Sequence, residues 1–287
     1  MKVIKNIPKL KPRTANAHKG DFGKVCIIAG SIGMSGAAAL AGRAALRAGA
    51  GLVRVATPKS ILPIVASIEP SFTTIPLAED DAGRIAAEAV NTILNLIPDN
   101  DCIAFGPGVG ISQGVSSVLQ RLLEQPGLRL VIDADGLNNL SKVNDWPDRT
   151  KADVVLTPHP GEMRRLWAGL FREPIPADRR QQAVQFANKI KAVVVLKGAG
   201  TVVTDGKKIY VNKTGNPGMA TGGTGDVLTG IITALAGQGL NSLDAAVLGV
   251  YIHGLAGDLA AKKTGQISLI ATDVIESLGE AFKKCKR

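Results

Sequence analysis

The sequence predicts an α/β fold in which helices cover both faces of a mostly parallel sheet. Short, continuously apolar runs recur along the chain, and longer stretches with helical apolar spacing separate most of them. A strand that is apolar at every position has both faces buried, as the strands of parallel sheets do. Glycine supplies 33 of the 287 residues, which suits many tight turns between strands and helices.

Six apolar runs are predicted as strands, in chain order residues 25–29, 52–56, 102–105, 130–132, 154–156 and 193–196. Helical spacing between them is clearest in residues 36–48, 82–96 and 112–123. Residues 201–212 break the alternation and predict a hairpin around Asp205-Gly206. The rest is predicted to be mostly helical, over residues 227–236, 242–261 and 272–284. Since no repeat or convincing linker interrupts this pattern, we expect one domain over residues 1–287.

The composition argues against several classes of protein. The net charge of +10 comes from dispersed lysines and arginines without a basic tract, so we expect no nucleic-acid partner. No long uncharged apolar stretch predicts a membrane span, and residues 1–12 lack the apolar segment of a secretory signal. Cys26, Cys102 and Cys285 lie far apart and form neither a disulfide framework nor a zinc pattern. A cytoplasmic protein is therefore expected.

Glycine-rich or polar loops follow five of the predicted strands, at residues 30–36, 106–110, 133–138, 157–162 and 197–201. Ligands of parallel sheets gather at the carboxyl ends of the strands. We therefore expect these loops to line one crevice, together with a sixth loop that precedes the predicted helix at residues 227–236.

That sixth loop lies within residues 215–230, which read Gly-Asn-Pro-Gly-Met-Ala-Thr-Gly-Gly-Thr-Gly-Asp-Val-Leu-Thr-Gly. Glycines allow close approach of the backbone to a ligand, and the free N–H groups of a helix start attract anions. We expect a phosphate cradle formed by Gly222, Gly223, Thr224 and Gly225. Asp226 is unsuited to hold phosphate but suited to take a proton, which predicts phosphoryl transfer to a hydroxyl. The alternative is an ordinary glycine-rich loop with an aspartate cap.

Together these loops resemble the ribokinase-like superfamily, and more closely the NAD(P)H-hydrate dehydratases, which repair hydrated nicotinamide cofactors. The resemblance extends from about residue 19 to about residue 278. It rests on the 30–36 loop with Ala-Ala-Leu-Arg-Ala-Gly-Ala-Gly-Leu-Val at 44–53, on the 157–162 loop and on residues 216–226. It implies a ribokinase-like fold, and we expect no N-terminal epimerase domain of the kind that larger bifunctional relatives carry.

The resemblance also implies a reaction. The S form of hydrated NADH or NADPH would be phosphorylated on its ring hydroxyl at the expense of ADP, and elimination would then give NAD(P)H, AMP and phosphate. Asp226 would be the base, Mg²⁺ the metal and a homotetramer the assembly. ATP is a possible alternative donor.

Residue by residue, the resemblance assigns the adenine nucleotide to Lys197, Gly198, Ala199, Gly200, Thr201 and Gly225. It assigns the hydrated dinucleotide to Ala37, Gly108, His159 and Asp226. The chemistry agrees in part, since Lys197 offers a compact cation for phosphate and the prolines on either side of His159 stiffen its loop. Glu162 is expected either to hold Mg²⁺ through water or to be a carboxylate favoured at a helix N-terminus.

Other interpretations stay open. A vitamin-precursor kinase would use the same Asp226 and cradle but release a stable phosphorylated alcohol, and a regulatory protein would bind nucleotide without turnover. Asp133 and Asp135 receive no catalytic role, and His253 is expected to be structural. Arg43 and Arg47 are expected to face solvent or another subunit.

Overall fold

The computed structural model describes residues 1–285, and one sheet runs through the centre of the molecule. Its strands are β1 (Lys2–Val3), β2 (Lys24–Ile28), β3 (Leu52–Pro58), β4 (Thr73–Leu77), β5 (Cys102–Phe105), β6 (Arg129–Ile132), β7 (Asp153–Leu156), β8 (Val193–Leu196), β9 (Val202–Thr204) and β10 (Lys208–Val211). They lie side by side in the order β1-β10-β9-β8-β7-β6-β5-β2-β3-β4. The pairings are parallel, except that β9 runs antiparallel to β8 and β10.

Helices cover both faces of this sheet. In residues 1–285 they are α1 (Ser35–Arg47), α2 (Leu62–Ile68), α3 (Ala89–Leu94), α4 (Gln113–Leu123), α5 (Asp135–Leu140), α6 (Trp146–Arg149), α7 (Pro160–Leu170), α8 (Arg179–Ile190), α9 (Thr224–Gly237), α10 (Ser242–Thr264) and α11 (Ala271–Cys285). Successive residues of β2 alternate between two buried clusters, with Ile27 in the cluster of α1 and α9 and Ile28 in that of α4. The predicted α/β architecture is confirmed.

Most of the predicted elements are also confirmed. The six apolar runs are β2, β3, β5, β6, β7 and β8, and the helical stretches 36–48, 112–123, 227–236, 242–261 and 272–284 are α1, α4, α9, α10 and α11. The predicted hairpin joins β9 to β10, and Asp205 Oδ1 accepts hydrogen bonds from the amides of Lys207 and Lys208.

Two segments differ from the prediction. The helix predicted over residues 82–96 was wrong for most of its length, because Asp80 Oδ1 accepts hydrogen bonds from the amides of Ala82 and Arg84 and fixes a turn there. Strand β4 was not predicted, since Pro76 interrupts its short apolar pattern. Proline is tolerated in β4 because this strand lies at an edge of the sheet.

Helix α10 alone, within residues 1–285, is long and apolar enough to cross a membrane. However, 72% of its most apolar window is buried inside the protein. Its apolar side chains belong to the same buried cluster as those of α9 and α11. Packing in the core therefore accounts for its composition.

The topology sets where ligands can gather. From β2 the chain moves outward through β3 and β4, and then returns to the other side of β2 as β5. In open α/β sheets such a reversal leaves a crevice at the carboxyl ends of the strands. Here the loops after β2 and β5 are joined, since Ser31 Oγ donates to Gly108 O at 2.7 Å and Gly30 N donates to Pro107 O.

Close packing of α1 against α9 makes Gly230 a sensitive position. A β-carbon on Gly230 would lie 2.1 Å from Ala41 O, a backbone atom that moves only if the two helices separate. We expect Gly230→Ala to lower the free energy of unfolding by about 1–3 kcal/mol, as overpacked cores do. Unfolding in denaturant measures this change.

Gly279→Ala is the matched control, because Gly279 lies in α11 and a β-carbon there would meet nothing within 4 Å. That substitution should leave stability unchanged or raise it by about 0.5–1 kcal/mol. Equal stabilities of the two variants would contradict the proposed close packing.

Candidate active site

The carboxyl edge of the sheet carries a cavity of about 560 Å³. Its walls come mainly from the loop after β8, the segment after β10, the start of α9, and α10. The lining residues include every position expected to hold the adenine nucleotide: Lys197, Gly198, Ala199, Gly200, Thr201 and Gly225. The residues expected to hold the hydrated dinucleotide, Ala37, Gly108, His159 and Asp226, lie outside this lining.

The start of α9 is built by glycines. Gly223 has φ +88°, a left-handed conformation that favours glycine, and a β-carbon there would also lie 2.5 Å from Leu40 Cδ1. The Thr224 hydroxyl lies 3.0 Å from the carbonyl oxygens of Met219 and Thr221, which ties the loop to the helix. Gly225 has no side chain to fill the space toward Lys197 Nζ. The first amides of α9 are thus presented beside a lysine, an arrangement that suits an anion.

Asp133 connects the loop after β8 to helix α9. Its carboxylate is 1% exposed; Oδ1 accepts from Lys197 Nζ at 2.5 Å and Oδ2 accepts from Thr229 Oγ1 at 2.7 Å. Burial lowers the pKa of Lys197, but Asp133 and Glu162 more than reverse this effect and raise it. Lys197 is therefore a charged lysine held by carboxylates. Its ion pair was not predicted, and the position of Asp133 directly after a buried strand was the one available signal.

Asp226 lies in the first turn of α9, next to this ion pair. Burial and the Asp133 charge raise its pKa to about 7, while Lys197 acts in the opposite direction. A carboxyl with this pKa is poised to accept a proton near neutral pH. The site therefore offers a tuned base beside an anion-binding helix start.

His159 and Glu162 form a capping box at the start of α7. His159 Nδ1 accepts from the amides of Gly161 (2.9 Å) and Glu162 (3.3 Å), and Glu162 Oε2 accepts from the His159 amide at 2.7 Å. Burial and Lys197 lower the pKa of His159, so its imidazole is neutral. Burial raises the pKa of Glu162 to about 7. The helix-terminal interpretation of Glu162 is thus observed, and its Oε2 also lies 3.9 Å from Lys197 Nζ.

Ala37 and Gly108 lie against each other on the other side of the crevice. A β-carbon on Gly108 would be 3.0 Å from Ala37 Cβ, and the φ of +64° also requires glycine there. Asp135 Oδ2 accepts from the amide of Gly110 at 3.0 Å and anchors this loop. The charge of Asp135 is a minor contribution to the raised pKa of Asp226.

Residue His253, residue His18 and the pair Arg43 and Arg47 lie in three different places. His253 lies on α10, as expected, but it also lines the cavity, where burial lowers its pKa to about 4. No local sequence motif predicts that His253 lines the cavity, because other lining residues such as 197–201 are distant from it in the chain. His18 caps a short 3-10 turn. Arg43 lies 3.9 Å from Glu69 at a surface groove that also includes Arg47.

Comparison with known proteins indicates one family for this chain. The chain matches the NAD(P)H-hydrate dehydratase family over residues 25–279. It is 43% identical over 272 residues to the bifunctional NAD(P)H-hydrate repair enzyme of Moorella thermoacetica, covering 94% of this chain and 51% of that protein. It is 41% identical to the enzyme of the same name from Thermofilum pendens, covering 99% of this chain and 54% of that one. The chain thus spans about half the length of these relatives.

A solved structure agrees with the sequence matches. The ADP/ATP-dependent NAD(P)H-hydrate dehydratase from Bacillus subtilis, co-crystallised with ATP and Mg²⁺, superimposes with a TM-score of 0.81 at 29% identity, covering 96% of this chain and 94% of that one. A ribokinase-like superfamily protein from Enterococcus faecalis also superimposes, with a TM-score of 0.82 at 28% identity, covering 96% of this chain and 92% of that one. The predicted ribokinase-like fold is thereby confirmed, and the chain belongs to the NAD(P)H-hydrate dehydratase family.

Proposed function

We propose that this protein repairs nicotinamide nucleotides by dehydrating the S form of hydrated NADH and NADPH at the expense of ADP. The family membership supports the substrate class, and the name of the Bacillus subtilis structure supports a nucleoside di- or triphosphate donor. One observation carries the proposal: Lys197, the start of α9 and Asp226 meet around Asp133. A phosphate donor and a hydroxyl acceptor can therefore be held at the same place.

The first step is phosphoryl transfer. Asp226 takes the proton of the ring hydroxyl, and the hydroxyl oxygen bonds to the β-phosphorus of ADP as the bond to the AMP oxygen breaks. Amides of Gly222, Gly223, Thr224 and Gly225 hold the transferring group, whose spread charge needs positioned donors. Lys197 contributes positive charge from its place beside Gly225.

The second step is elimination. The carbon–oxygen bond breaks with phosphate as leaving group, and loss of a ring proton restores the dihydronicotinamide. We assign Ala37, Gly108 and His159 to the hydrated dinucleotide, with the neutral His159 as a hydrogen-bonding group. This half of the proposal rests on the family resemblance, since these residues lie outside the cavity lining.

Mg²⁺ fits the site only as an ion that keeps most of its water. Within residues 1–285 no group of three or more His, Cys, Asp or Glu side chains could hold a metal directly. Mg²⁺ usually binds one or two carboxylates together with waters and substrate phosphates. Glu162 is the carboxylate we assign to it, and the ion would neutralise phosphate charge when bound.

The proposal has three further parts: a single domain over residues 1–287, a cytoplasmic location and a homotetramer.

The assay is direct, because the hydrate lacks the near-ultraviolet absorbance of the intact dihydronicotinamide ring. Protein, Mg²⁺ and hydrated NADH are mixed with ADP in one cuvette and with ATP in another. We expect a rise in absorbance with ADP. A rise with ATP alone would correct the donor, and a phosphorylated product that accumulates without a rise would favour a kinase.

Asp226→Asn should lower turnover by about 10²- to 10⁴-fold, the usual contribution of a general base. ADP affinity, measured by calorimetry, should change little, because the cradle amides are unaltered. Asp148 is an exposed residue of α6, so Asp148→Asn is the control and should keep full turnover. Turnover in Asp226→Asn equal to that of the control would remove the proposed base.

The pH profile tests the same residue independently. Burial raises the pKa of Asp226 to about 7, and only its ionised form accepts a proton. We therefore expect kcat/KM for the hydrate to rise as the pH increases through about 7 and then to level off. Steady-state rates from about pH 5 to about pH 9 measure the profile, with enzyme-free blanks for spontaneous reaction. A flat profile would mean that no such base is needed.

A further inference from the structure

The loop after β8 encloses a guanidinium group. Arg179, the first residue of α8, reaches under the loop and donates to three carbonyls: from Nη2 to Leu196 O at the end of β8 (3.0 Å) and to Lys197 O (2.8 Å), and from Nη1 to Ala199 O (2.5 Å). Asp178 caps α8 by accepting from the amide of Gln181, which fixes the point from which the arginine starts. One side chain thus binds the last carbonyl of β8 and two carbonyls of the loop.

Two further carbonyls of residues 197–201 also accept hydrogen bonds within the protein. Gly198 O accepts from Thr201 Oγ1 at 2.9 Å, and Thr201 O accepts from the amide of Asn212. By contrast, the amides of residues 198–200 donate to no backbone carbonyl in the part of the chain that the structure describes. These residues line the cavity. Five of the six carbonyls of residues 196–201 thus accept hydrogen bonds, three of them from Arg179. The amides of residues 198–200 have no backbone acceptor among the described residues, as in loops that bind anions through their backbone.

The arrangement is specific to arginine. A guanidinium is planar and offers five donors in a fixed fork, whereas an ammonium is a point charge that cannot reach three separated carbonyls with the same geometry. The loop is shaped to it as well, since a β-carbon on Gly198 would lie 3.0 Å from Arg179 Nη2. The buried Nε has no hydrogen-bond partner within residues 1–285, so the side chain is held entirely through its two terminal nitrogens.

We propose that Arg179 is the positioning residue for nucleotide binding: its guanidinium orders the loop of residues 197–200 so that the amides face the phosphates or ribose of ADP. Its positive charge behind the loop adds to the attraction for an anion. The identity of the ligand as ADP rests on the proposed function. The contact between Arg179 and the loop is observed and does not depend on it. Arg179 acts through the loop and does not touch the reacting atoms.

The test compares Arg179→Met, Arg179→Lys and the control Arg180→Met, whose parent residue is adjacent and exposed. Calorimetry measures the Kd for ADP, and steady-state rates measure KM for ADP and for the hydrate. We expect Arg179→Met to weaken ADP binding by about 10- to 100-fold, the range for losing hydrogen bonds to a charged group. KM for the hydrate should stay within about twofold, because the hydrate is held elsewhere. Arg179→Lys should be intermediate, and Arg180→Met should match the wild type.

An unchanged Kd for ADP in a folded Arg179→Met variant would overturn the proposal. So would a lowered melting temperature with unchanged Kd, or an equal loss of affinity for ADP and hydrate, since these indicate a merely structural role. If the methionine variant fails to fold, the lysine variant decides by the same criterion. ADP binding needs no turnover, so absence of dehydratase activity in the wild type would refute the proposed function and leave this test intact.

Discussion

The buried contact between Asp133 and Lys197 is the interaction on which the site depends. Asp133 follows β6 and Lys197 follows β8, with β7 between them. Two strand spacings separate the two backbones by about 10 Å, a gap that a long lysine side chain and a short aspartate can close together. Thr229 fixes the second carboxylate oxygen, so the same aspartate also holds α9. Removing Lys197 would leave the buried carboxylate of Asp133 without its cation, which is strongly unfavourable.

This contact also sets the electrostatics. Lys197 is one cation among Asp133, Glu162 and Asp226, and two of those carboxyls have a pKa of about 7. Burial is the largest cause in both cases, so the exclusion of water by the surrounding protein is the main reason that these pKa values are raised. The charge of Asp133 then adds to the effect of burial on both groups. A single hydrogen-bonded aspartate thereby links the position of the lysine to the basicity of the neighbouring acids.

Much of this could be predicted from the sequence, because strands buried on both faces leave continuous apolar runs and glycine loops mark their carboxyl ends. The edge strand β4 was not predicted, because its half-exposed residues and Pro76 do not form a continuous apolar run. The partners of Lys197 and the contact of Arg179 with its loop could not be predicted, because they join residues that are distant in the chain. The prolines on either side of His159 indicate a stiff loop, but they do not predict that His159 Nδ1 caps α7, a role usually taken by smaller polar residues.

Strand β1 is first in the chain but lies at the far edge of the sheet, where Lys2 pairs with Lys208 of β10. Strand β2 likewise pairs with β5 only after β3 and β4 have been laid on its other side. Contacts between such distant residues close long loops and form slowly during folding. Within the site, Asp133 contacts Lys197 and Thr229 at sequence separations of 64 and 96 residues. We therefore expect the binding crevice to form late in folding, after the local contacts between β2 and β3.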